Sequence, residues 1–147
     1  MFTHAMRWAY VVYAWIILAA VVVQFFLAGR GVFAGVSNFQ THANFGNTIF
    51  FVMLLGLVLA FAARLPWRAI GLTALLPVLV GLQSVFIEFW HSGQGGLAAF
   101  HVINGLAIFS LTGFLALRSR GYIAVQQRRT ALREVHAASP KQEEAVH

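Results

Sequence analysis

Cysteine is absent from the 147 residues. Its absence excludes disulfides, iron–sulfur clusters, thiolate metal sites and covalent c-type haem attachment together. Any metal must therefore rest on imidazole or oxygen. Charge is scarce as well: only 10% of residues are charged, and four acidic side chains face ten Lys/Arg. No polar segment carries a basic stripe with interleaved aromatics, so a nucleic-acid partner is not expected. The +6 net charge is the kind of excess that sits beside an anionic membrane leaflet. Against these shortages stand 60% apolar residues, 14% aromatics and a mean hydropathy of +0.77. A soluble core needs nothing of the sort, and the composition is that of a membrane protein.

A helix rises ~1.5 Å per residue and the hydrocarbon core is ~30 Å thick, so a span needs about 20 uncharged residues. Four such windows are present: Trp8 to Ala28, Asn38 to Ala63, Ala69 to Phe89 and Leu97 to Leu117. Pro77 falls inside the third and should kink it. The first window is longer than a signal-peptide core, so it is read as a retained span despite a cleavage-like LeuAlaGly near its end. Links at 29–37, 64–68 and 91–96 are short, which makes successive helices antiparallel neighbours. Nine of the ten basic residues fall on one side of this arrangement and Arg30 alone on the other. The positive-inside rule then places both termini in the cytoplasm, with Trp8 and Trp67 at the inner interface and Trp90 at the outer one. The expected architecture is all-α: a four-transmembrane-helix bundle in the cytoplasmic (inner) membrane. Residues 1–117 form the transmembrane domain and 118–147 a basic cytoplasmic tail. That tail carries a weak apolar stripe (Val125, Leu132, Val135) on a short helix and a disordered end at 139–147.

An offset of 59 residues aligns Gln24 with Gln83, His42 with His101, Gly46 with Gly105, Ile49 with Ile108 and Phe50 with Phe109. Matching the rare Gln and His at one separation is hard to obtain by chance in a Val/Leu/Phe-rich chain. The sequence thus reads as two repeated helical hairpins related by a pseudo-twofold axis along the membrane normal. The pattern sets His42 and His101 each about one turn inside its helix, with Gln24 and Gln83 in the same layer.

Two neutral imidazoles on opposite helices suffice to ligate one haem iron, and without cysteine the haem is of b type. Gly46 and Gly105, one turn after each histidine, leave room for a macrocycle beside the backbone. Phe25, Phe26, Phe45, Phe50 and Phe109 are candidate walls. Gln24 and Gln83 are candidate acceptors for the second ring N–H of each ligand, and Asn104 lies on the same face as His101. The blander alternative is that histidines and glycines in lipid simply glue helices together. His91 and Glu88 read as interfacial, and His4, His136 and His147 as residues of solvated ends.

The arrangement resembles the bis-histidine membrane b-type cytochromes and one four-helix half of haem A synthase. It also resembles small uncharacterised four-helix bacterial membrane proteins with stretches like the QFFLAGRGVF, THANFG and FHVING found here. The first resemblance implies one haem b held by His42 and His101 near the outer leaflet, exchanging electrons with a quinol or a partner protein. Such a chain is an electron carrier rather than a stand-alone enzyme. Two further readings stand beside it: a cofactor-free scaffold subunit of a larger membrane complex or homo-oligomer, and a small carrier or channel using the polar layer.

Overall fold

The computed structural model describes residues 2–138. Its long helices are α1 (Phe2–Phe33), α2 (Phe39–Ala62), α3 (Trp67–His91) and α5 (Phe100–Ala138), with a 3-10 turn at Val36–Asn38 and a one-turn helix α4 (Gly95–Ala98). Four helices are long and apolar enough to cross a membrane. Helices are the form such segments must take, because lipid offers no partner to an open backbone N–H or C=O. The chain is a multi-pass membrane protein.

Around the bundle the order is α1, α2, α3, α5 and back to α1, so α2 faces α5 across one diagonal and α1 faces α3 across the other. The inward stripe on α1 is Tyr10, Tyr13, Ala14, Ile17 and Val21, and on α2 it is Ile49, Met53, Gly56 and Ala60. On α5 the buried positions include Asn104, Ile108, Thr112, Leu115 and Ser119. Each stripe advances in steps of three and four, the spacing of one helix face. Small and hydroxyl-bearing residues are prominent on these faces, because lipid tails are as apolar as leucine and close packing drives the helices together. Gly56 illustrates this: a Cβ there would overlap the Tyr13 ring, whose hydroxyl reaches the Met53 carbonyl at 3.4 Å. Across the other diagonal, Thr73 gives its proton to the Ala69 carbonyl (2.8 Å), so Tyr10 is the donor in the buried 2.6 Å Tyr10–Thr73 bond.

The fourth long helix differs from expectation at both ends. Gly95 and Gly96 form their own turn, so α5 begins at Phe100 and His101 stands in its first turn rather than a turn inside. At the other end the helix does not stop near Leu117 but continues to Ala138, with Ser119 and Ile123 buried. Arg7 anchors the start of this extension. Its guanidinium donates to the Tyr122 carbonyl (2.6 Å) and to the Ala63 carbonyl (3.1 Å), tying α1, the α2–α3 turn and α5 together. Helix α3 runs on as one helix through Pro77. The expected disordered end at 139–147 lies outside the described residues.

Candidate functional site

The polar layer lies at the end of the bundle that carries Arg30, away from the Arg7, Arg64 and Arg68 end. Helix α1 brings Gln24 there near its C-terminal end, and α2 brings His42 near its start. Helices α3 and α5 bring Gln83 and His101 in the same way. The two imidazoles meet across the α2–α5 diagonal with ring centroids 6.1 Å apart and planes inclined at 54°. Both are partly buried.

Each Nδ1 faces a backbone carbonyl of the preceding helix: His42 that of Gln24 at 3.2 Å, and His101 that of Gln83 at 3.4 Å. A ring N–H placed on Nδ1 satisfies that carbonyl and leaves the Nε2 lone pair as the available ligand atom. The glutamines supply this partner through their backbones. Their side chains act otherwise than the sequence suggested. The Gln24 amide donates to the His42 carbonyl (2.8 Å) and lies 3.5 Å from His42 Nε2, while its Oε1 is buried without a partner. Gln83 Oε1 accepts from Asn104 Nδ2 (3.0 Å), which also donates to the Leu79 carbonyl (2.7 Å).

Both glycines face these amides. A Cβ at position 46 would come within 2.9 Å of Gln24 Nε2, and one at position 105 within 3.4 Å of Gln83 Nε2 and 3.7 Å of the Phe25 ring. The same contact, glutamine amide over glycine and ring nitrogen on glutamine carbonyl, therefore occurs in each half of the chain. Of the candidate aromatic walls, Phe25 and Phe109 pack edge to face at 6.0 Å beside Gly105. Phe45 packs against the core, Phe50 pairs with Phe51, and Phe26 is exposed at the surface.

Residue composition did not point to Phe39, whose ring lies edge-on to His42 at 6.4 Å. That ring packs over Gly31, where a side chain would collide with it. The second half places Phe86 against Phe100 instead. Outside this layer His91 Nδ1 and Glu88 Oε2 lie 3.7 Å apart on the exposed end of α3.

Residues 24–89 match the model of a family of unknown function, DUF6220. The match starts at Gln24, takes in His42, Gly46 and Gln83, and ends before His101. It agrees with a resemblance to an uncharacterised family and gives no support to one with the cytochromes or haem A synthase. No curated protein and no solved structure matches the chain.

Proposed function

We propose that this protein is a small membrane b-type cytochrome in which His42 and His101 hold one haem between α2 and α5. The observation that carries the reading is the close approach of the two imidazoles from opposite helices. Two rings sharing one metal at ~2 Å have centroids about 6.3 Å apart, and the pair here stands at 6.1 Å. Backbone carbonyls at both Nδ1 atoms favour Nε2 as ligand on each side. A macrocycle needs the room over Gly46 and Gly105 that the glutamine amides fill, and the flexible glutamine side chains can withdraw to provide it. The Gln24 Oε1, buried without a partner, leaves that amide with half of its bonding capacity unmet. These features support haem as the group that the histidine pair would hold.

When bound, haem supplies one-electron chemistry, exchanged with a quinol or a partner protein. The chain supplies two ligands of fixed tautomer, an apolar cage and a position near one surface. With nine of ten basic residues on the opposite side, that surface is the outer face of the cytoplasmic membrane and both termini are cytoplasmic. The recurrence of the glutamine–histidine–glycine contact at an offset of 59 supports an origin in two repeated hairpins. One observation favours the alternative of a cofactor-free scaffold subunit: Gln24 and Asn104 already pair much of the polar layer within the chain. Expression with ample haem, mild detergent purification and an absorption spectrum separate the two, since only the first gives a Soret band.

A further inference from the structure

Far from the histidines, the outer surface between α1 and α5 carries a groove of about 710 Å³ open to the lipid side. Its walls are apolar, with small Ala19 and Ala124 among them, and Trp8 and Trp15 on the α1 side. One charged group reaches it. The Arg120 guanidinium lies 5.9 Å from the centre of the Trp15 ring. A guanidinium at the edge of cation–π reach of an indole keeps its planar fork of N–H donors for phosphate oxygens. Among the described residues no carboxylate lies within ion-pair distance of Arg120; the one carboxylate contact, Glu88 with His91, is at the other end of the bundle.

Length decides what the groove fits. From Trp8 to Ala19 is eleven residues, about 16 Å at ~1.5 Å per residue, roughly half of the ~30 Å hydrocarbon core. A partner transmembrane helix would need a seam along the whole span, whereas a lipid of one leaflet needs half. Higher up, α1 and α5 close together, with Leu18 at Gly113 and Val21 and Ile108 buried in the core. The closed end is apolar, the open end has Trp8 in the belt position, and Arg120 reaches in beside Trp15. We infer that this groove is a binding site for one anionic phospholipid, its acyl chain along α1 toward Ala19 and its phosphate on Arg120. The excess of basic residues at this end matches an anionic headgroup rather than a zwitterionic one. The inference is independent of the haem reading, because the two sites lie at opposite ends of the bundle.

The test uses the full chain in mild detergent, equilibrated with equal amounts of phosphatidylglycerol and phosphatidylcholine and read by native mass spectrometry. The wild type should retain one phosphatidylglycerol in preference to phosphatidylcholine. Arg120→Gln should weaken that retention by about tenfold or more, the loss of a charge-assisted contact, with phosphatidylcholine unaffected. Arg128→Gln, which removes an exposed charge beyond the groove, should leave it unchanged. Ala19→Trp should lower retention of both lipids by filling the closed end. Should that variant misfold, the exposed Arg120 substitution still decides. Equal retention of the two lipids by the wild type, a preference that survives Arg120→Gln, or a lipid-free dimer disrupted by Ala19→Trp would overturn the site.

Discussion

An imidazole has one lone pair to offer a metal, and the hydrogen bond at its other nitrogen decides which. At His42 and His101 that bond goes to a helix carbonyl, which no side-chain substitution removes. Replacing Gln24 or Gln83 by alanine should therefore leave haem bound, with at most a modest change in affinity or potential. His42→Ala or His101→Ala should abolish the bis-histidine spectrum. Leucine at Gly46 should expel the Gln24 amide and crowd the same space, reducing haem occupancy in the purified protein. At the opposite end, Arg7→Ala breaks charge-assisted bonds to the Ala63 and Tyr122 carbonyls. We expect a cost of about 2 kcal/mol, read as a lower melting temperature in detergent. The residues of the polar layer were legible in the sequence because Gln, His and Gly are conspicuous inside apolar spans. The role of the glutamine backbones was not, since every residue has a carbonyl and only packing selects which one an imidazole meets.

Two helix ends show how the same turn is built from different residues. Helix α2 closes with Leu65 N–H on the Ala60 carbonyl (3.1 Å) and Arg64 N–H on that of Phe61 (2.9 Å). Helix α3 closes identically, Gln94 on Phe89 (2.8 Å) and Gly93 on Trp90 (3.1 Å). Both are Schellman caps and both need one residue in left-handed conformation. Gly93 supplies it at φ 80° without strain, whereas Arg64 is held at φ 50° against its Cβ. Gly93→Ala should thus destabilise the protein by about 1 kcal/mol, and Arg64→Gly should stabilise it by a similar amount, in paired thermal melts. A loss of stability on Arg64→Gly would mean that its side chain, not its backbone, secures the turn. The four spans themselves were readable because the bilayer dictates length and the backbone dictates helix. Their inward faces were harder to read, since lipid and core are equally apolar. The marks that remain are small and hydroxyl residues such as Gly56, Thr73, Thr112 and Ser119. The run of α5 past Leu117 was not legible, since the sequence there turns polar and the Arg7 bond to Tyr122 joins residues 115 apart.

Taken whole, the molecule is polarised along its axis, with the facing histidines at one end and nearly all its basic charge at the other. Reporter fusions should find the Arg64–Arg68 turn and both termini in the cytoplasm and the His91–Gly96 link outside. A reversed result would move the imidazole layer to the inner face and remove the outer-leaflet assignment. Whether that layer holds iron is the claim on which the functional account rests. The decisive measurement is the absorption spectrum, oxidised and reduced, of the full-length protein expressed with ample haem and purified in mild detergent, alongside His42→Ala and His101→Ala. The expected result is a Soret band with the α and β bands of a low-spin b-type haem, about one haem per chain, lost in either variant. A folded, monodisperse wild type with no Soret band, or a spectrum unchanged by both substitutions, would contradict it.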